Sequence, residues 1–250
     1  VADGGRPGDR DGHLHLVSTG LGPPACRAGQ YHDSVLDPLA DLLLGACCPG
    51  CRRPGSGICR RCLAALEAHP RVILDGPPPV VACLPYRDPL PDLVTAHKDR
   101  GAGWLSRPLG SSLGVGLRAV VEAADGPVSL VPMPSDRAAV RRRGADHCAD
   151  LVRSAARSCG LPPDAVRPLL RRTRRVRDQI QLDHDQRVAN QAHSMTALPA
   201  GPGEPPVVLL DDIRTTGATL AEGARALDRA GHLVLACLVL ADAEHPSRWA

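Results

Sequence analysis

Val207-Val208-Leu209-Leu210-Asp211-Asp212-Ile213-Arg214-Thr215-Thr216-Gly217-Ala218-Thr219 is the stretch that decides the fold. Its four leading apolar residues read as a strand buried on both faces. Two carboxylates end the strand, a small hydroxyl-rich turn follows, and from Thr219 to Ala230 apolar residues recur with the period of a helix that Gly231 closes. A strand passing directly into a helix is the repeating unit of a parallel sheet covered by helices. The turn also carries chemistry. The first N–H groups of a helix have no partner inside it and lie at the positive end of its dipole, so they collect an anion. Gly217 lets the backbone approach a phosphate closely, and the hydroxyls of Thr215, Thr216 and Thr219 add donors. Asp211 and Asp212 would repel that phosphate if aimed at it, which leaves them for sugar hydroxyls or a hard cation. An ordinary strand, loop and Thr-capped helix accounts for one hydroxyl, but not for adjacent acids and three threonines.

The alternation extends outward from this segment. Val80 to Leu84, Val128 to Val131, Val166 to Leu170 and Leu233 to Leu240 read as strands, and Leu105 to Ala123 and Arg137 to Ser158 as helices. Between Arg171 and Gln186 the chain is polar without period, and a short helix is expected to run through Met195. The expectation is an α/β domain over residues 80–242, a parallel sheet flanked by helices.

Ahead of that domain the pattern differs. Residues 1–34 are rich in Gly, Pro, Arg and Asp with no apolar period, and are expected to form a disordered arm. Val35, Leu36, Leu39, Leu42, Leu43 and Leu44 then recur at helical spacing. Five of the ten cysteines follow within sixteen positions. Cys48-Pro-Gly-Cys51 and Cys59-Arg-Arg-Cys62 each present two thiolates from one tight turn, and two facing turns complete a tetrahedral, closed, structural zinc site. Neighbouring Arg52, Arg53, Arg60 and Arg61 offset the charge of the thiolates. A redox pair or buried small side chains are the competing readings. Cys47 is left over, and Cys26, Cys83, Cys148, Cys159 and Cys237 are assigned to packing or to an ordinary surface. Leu63 to His69 reads as another short helix and the Gly-Pro-Pro-Pro run at 76–79 as a linker, so a helix plus zinc module is expected over residues 35–75.

With 43% hydrophobic residues the chain can fill a core, yet no apolar run reaches the about 18 residues that a membrane span needs. The absence of an apolar leader pattern, together with clustered cysteines, points to a reducing, cytoplasmic setting. A net charge of +3 does not by itself call for nucleic acid. Charge is concentrated locally, with six arginines between Arg167 and Arg177, a patch that suits a polyanion or simply a solvated loop. Lys98 is the chain's only lysine, and its Gly-flanked turn suits a phosphate contact or, equally, a solvated surface lysine. His69, His147 and His184 read as surface or capping residues, and no H-E-x-x-H, G-x-S-x-G or Walker pattern is present.

The segment from Val207 to Thr219 closely resembles the motif with which type I phosphoribosyltransferases bind 5-phosphoribosyl 1-pyrophosphate (PRPP). Preceded by four paired cysteines, it is similar to the ComF family, which includes competence proteins associated with DNA uptake. Tyr86-Arg87-Asp88-Pro89-Leu90 with Lys98-Asp99-Arg100-Gly101, Val131-Pro132-Met133-Pro134, and Arg141-Arg142-Arg143-Gly144 look like further motifs of that family. Arg174 to Leu182 and Arg187 to Asn190 resemble its mobile hood. The chain departs from the family at Ala145-Asp146-His147, where Phe-Asn-Gln is usual, and at His193-Ser194-Met195, where a Gly-aromatic pair is usual. The resemblance implies a type I phosphoribosyltransferase-like sheet and gives Asp211 and Asp212 the ribose hydroxyls. It gives Arg214, Thr215, Thr216, Gly217, Ala218 and Thr219 the 5-phosphate, and makes Lys98, Arg141 and Arg143 candidates for pyrophosphate. It implies structural zinc on Cys48, Cys51, Cys59 and Cys62, and magnesium entering with PRPP. The expected activity is transfer of ribosyl phosphate to an unknown acceptor. The alternative is a non-catalytic competence factor that binds single-stranded DNA, a phosphoribosyl ligand and competence helicase machinery.

Overall fold

The computed structural model describes residues 47–173 and 193–244 together with Trp249, all within one compact unit that spans His32–Ala250. The expected arm, the apolar helix after it, and most of the polar stretch that resembles a hood lie outside the described residues. In chain order the elements are α1 Arg60–Ala64, β1 Arg71–Leu74, β2 Val80–Pro85, α2 Leu90–Asp99, α3 Ser106–Ala123, β3 Ser129–Pro132, α4 Arg137–Arg143, α5 His147–Ser158, β4 Leu170–Arg172, β5 Met195–Ala197, β6 Val207–Arg214, α6 Ala218–Arg229 and β7 Val234–Asp242.

A five-stranded sheet runs in the order β1-β2-β7-β6-β3, parallel except for β1, which pairs antiparallel with β2. Strand β7, central in the sheet, and its neighbour β6 are continuous apolar runs of the sequence, and Val207 to Leu210 are fully buried. Register assigns the helices to faces. Leu238 pairs with Leu210 and Val81 and meets α3 at Gly116, beside Cys83, while Leu209, one residue before Leu210 and therefore on the opposite face, meets α6 at Gly223. Helix α5 lies beside α3 and over β3 and β6. The chain thus leaves β3 toward one face and β6 toward the other, which opens a crevice at the carboxyl ends of these neighbouring strands.

Several expected elements change form for identifiable reasons. The expected helix from Arg137 to Ser158 is broken in two because Gly144 takes a left-handed φ of 77° and closes α4. Asp146 then restarts the chain as the cap of α5, accepting from the Ala149 N–H at 3.2 Å. Met195 sits in a strand instead of a helix, because β5 pairs antiparallel with β4. Buried Glu222 of α6 holds that strand by accepting the Met195 N–H at 2.9 Å and the fork of Arg225 at 2.7 and 2.8 Å. Strand β6 extends beyond Leu210 through both acids to Arg214. The stretch expected as a linker at 76–79 is the connection between paired strands β1 and β2, so the cysteine segment and the sheet are joined by a strand that shares the sheet. Strand β1 offers the sequence reader only one buried residue, Ile73, between exposed Val72 and Leu74.

Glycines let α3 and α5 approach closely. A Cβ at Gly110 would lie 2.4 Å from Ser154 Cβ and 3.1 Å from the Ala155 nitrogen, neither of which can swing aside. Gly110→Val is therefore expected to destabilise the fold by about 3 kcal/mol through overpacking, whereas Val115→Ala, on the exposed side of the same helix, changes stability little. Urea unfolding midpoints check the contrast, and equal losses in the two variants would contradict this account of the packing.

Candidate functional site

At the carboxyl end of β6 the two carboxylates are held by the chain itself. Asp211 Oδ1 accepts the Asp212 N–H at 2.9 Å, and Asp212 Oδ1 accepts the Ile213 N–H at 2.6 Å. The second oxygen of Asp212 forms an ion pair with the ammonium of Lys98, from the last turn of α2. Burial works against the Lys98 charge, but the Asp212 carboxylate outweighs it and leaves the amine above its ordinary range. Burial, then repulsion from Asp212, pushes the Asp211 carboxyl up to about 7.

Directly after β6 the chain turns through Thr215, which is exposed, and Thr216, which is half-buried. Gly217 stands at the helix cap with a left-handed φ of 75°, which explains why glycine is needed there. Thr216 Oγ1 lies 3.4 Å from the Ala218 nitrogen. The side chain of Arg214 does not project outward from this turn but runs beneath it. Its guanidinium is only 4% exposed, bonds Asp242 Oδ1 at 2.8 Å and Glu244, and would lie 3.1 Å from a Cβ at Gly217. Arg214 Nε is buried without a hydrogen-bond partner among the described residues.

The C-terminal end of α2 gathers the basic candidates. Next to Lys98, Asp99 pairs with Arg143 of α4 at 2.6 Å, which ties Arg143 to the end of α2, while Arg141 has no such tie among the described residues, and both arginines are exposed. On the crevice's other side, Arg172 Nε–H donates to the Pro134 carbonyl at 2.9 Å.

Sequence reasoning missed three groups packed behind the acids. His147, expected at the surface, is buried, and its ring meets buried His97 edge-on with centroids 5.1 Å apart. Both nitrogens of His147 and Nε2 of His97 are buried without hydrogen bonds among the described residues. Burial, then the neighbouring His147, brings His97 down to about 4. Cys148 lies behind the acids, its Sγ 3.7 Å from the Leu210 carbonyl and 4.0 Å from Asp211 Oδ1. The only signal for His147 was its place beside Asp146, a helix-capping residue that also accepts from Ser135 Oγ at 2.8 Å.

The second arrangement is the cysteine cluster. The sulfurs of Cys48, Cys51, Cys59 and Cys62 all lie within 4.8 Å of one another, the only such group among the described residues, and can hold a metal ion such as zinc. Burial pushes the Cys48 thiol up, but backbone N–H groups of Cys59, Cys51 and Gly50 outweigh it and lower it to about 6. A backbone N–H from Cys62 likewise lowers Cys59, whereas burial and the neighbouring thiols drive Cys62 well upward. Full ionisation of four adjacent thiols thus calls for a cation among them, which is the chemistry of a metal knuckle. Cys47 sits outside the set, exposed and bridged to Pro54.

Comparison with protein-family models and with curated proteins finds no match for this chain. Among the described residues no helix is long and apolar enough to cross a membrane.

Opposed titrations offer a test of the buried acid and histidine. Folded Asp211 retains a proton up to about 7, against an ordinary value of 3.8, so stability falls as pH rises through that interval. His97 stays neutral in the fold down to about 4, against 6.5, so its contribution falls as pH drops from 6.5 toward 4. The slopes oppose in the native protein. Asp211→Asn should expose the His97 slope, stability rising with pH by up to about 1.4 kcal/mol per unit, and His97→Leu should expose the opposite one. Urea midpoints measured from about pH 4.5 to 6.5 check both, and slopes of one sign in the two variants would refute the assignment.

Proposed function

We propose that the crevice at the carboxyl ends of β3 and β6 binds a phosphoribosyl ligand, PRPP or ribose 5-phosphate, and that the protein transfers ribosyl phosphate from PRPP to a nucleophile. The observation that carries this reading is the junction of β6 and α6, where a carboxylate pair and a glycine-started turn occupy consecutive positions above a buried guanidinium. Carboxylates accept from the ribose hydroxyls, so Asp211 and Asp212 orient the sugar. The turn from Thr215 to Thr219 anchors the 5-phosphate with N–H and hydroxyl donors, and Arg214 beneath it, paired with Asp242 and Glu244, gives the turn a fixed base. In the transfer the acceptor's electron pair forms the new bond at the sugar C1 while the C1–O bond breaks and its electrons leave on pyrophosphate. Catalysis of this kind is positioning plus neutralisation of the departing charge. Lys98 and Arg143, both near the acids through α2, suit the leaving group. The resemblance to the ComF family supports the same roles.

Magnesium fits only as a companion of the ligand. Each acid already accepts a backbone N–H, and the free oxygen of Asp212 already faces an ammonium, so the chain has no ready resident cation site there. Magnesium supplies charge neutralisation on the pyrophosphate when it arrives with it. Zinc fits the four cysteines with every ligand position filled by protein, which makes it structural.

The DNA-binding alternative rests on the arginine patch. Of its members, Arg167 is paired with Glu204 at 2.9 Å, Arg172 is bonded to the Pro134 carbonyl and Arg171 is exposed, while Arg174, Arg175 and Arg177 lie outside the described residues. The pocket is the favoured reading because the carboxylate pair and the turn stand together at the junction of β6 and α6.

PRPP with magnesium should raise the melting temperature, equivalent to about 2.7 kcal/mol at a hundredfold excess over Kd. The double variant Asp211→Asn with Asp212→Asn should abolish the shift, and Thr216→Ala should reduce that given by ribose 5-phosphate. An unchanged shift in the double variant would overturn the ribose assignment. Metal analysis of protein purified under reducing conditions should find one zinc per chain, lost in Cys51→Ser, and finding none would sink the zinc assignment.

A further inference from the structure

We propose that metal loading of the cysteine knuckles sets the Lys98–Asp212 ion pair at the end of the acidic strand, with α2 as the rigid connection between them. The two features lie at opposite ends of one helix of ten residues. At its start is Gly50, between the ligands Cys48 and Cys51. A Cβ there would lie 3.1 Å from Cys62 Sγ, 3.1 Å from Pro89 Cβ and 3.1 Å from Leu93 Cδ2. One glycine therefore touches a ligand of the second knuckle and the first turn of α2 together. Arg52, just past the first knuckle, adds an ion pair to Asp92 of α2 at 3.9 Å. At the helix's far end Lys98 meets Asp212, Asp99 meets Arg143, and His97 is buried against His147.

Between these ends Leu90, Leu93, Val94 and Ala96 are buried, so α2 is held along its inner face. A hydrogen-bonded helix keeps a fixed rise per residue, so a displacement of its first turn reaches its last. The four sulfurs stand within 4.8 Å of one another, where a bound metal compensates the charge of their deprotonated forms and ties the two knuckles together. Loss of the metal removes that compensation, frees Cys62, and loosens the seat that Gly50 offers to Pro89 and Leu93. The ion pair at the far end then loses its register with β6. This inference depends on the ion pair, not on what the pocket binds, so failure of the phosphoribosyl reading would leave it standing.

Because Lys98 is the chain's only lysine, full-length protein labelled with carbon-13 at the lysine ε position gives one side-chain NMR signal that reports this pair. Asp212→Asn supplies the reference shift of the unpaired lysine. Removing the metal with a chelator should move the native signal to that reference while the methyl signals of the β6 and β7 core persist. Gly50→Val, which crowds the same seat, should shift the signal in the same direction. An unchanged lysine signal in the metal-free protein or in Gly50→Val would overturn the proposal. So would a shift that appears only with loss of the core methyl signals, since the sheet and not α2 would then carry the effect. Native protein containing no metal would overturn it as well.

Discussion

Two carboxylates on consecutive residues at the end of a buried strand repel each other, and the only ammonium in the chain stands against one of them. The Lys98–Asp212 pair lets β6 carry both acids to its carboxyl end, with Asp211 pushed up to about 7. It also fixes the last turn of α2 over the crevice, and through Asp99 and Arg143 it brings α4 to the same place. Elements that no sequence proximity links are thereby gathered around one strand end.

Beneath the turn a second charged group is buried more completely. Arg214 is enclosed by Asp242 at the end of β7 and by Glu244, and a buried guanidinium without partners would be strongly destabilising. The pairing locks the ends of β6 and β7 together under the first turn of α6. The turn above therefore inherits a rigid base, without an exposed side chain that could collapse into it.

The polar groups behind the acids show the opposite economy. Both ring nitrogens of His147 and Nε2 of His97 are buried without hydrogen bonds among the described residues, next to a carboxyl that burial raises above its ordinary range. Unsatisfied buried groups are destabilising, so such concentrations belong to sites and not to cores that serve packing alone. In the knuckles, likewise, four thiols are held closer than their own charges favour. The fold carries these two clusters at opposite ends of α2.

The sequence alone determined the α/β class, the strand at Val207 and its following helix, and the four-cysteine group, because each is written in residues close together in the chain whose period or spacing is a local pattern. Helix ends were legible where a cap is local, although the break at Gly144 was not read, since Gly144 and Asp146 interrupt an apolar pattern that continues on either side. Strand β1 escaped because a single buried residue leaves no alternation to see, and β5 because its strand character comes from pairing with β4 and from Glu222 on α6. Only the tertiary structure decided that Arg214 points under its turn, that His147 is buried against His97, and that Lys98 meets Asp212. Those facts depend on residues far apart in the chain and on which face of a helix is turned inward. Partners of a charge at such distance are chosen by packing, which no local pattern of residues encodes.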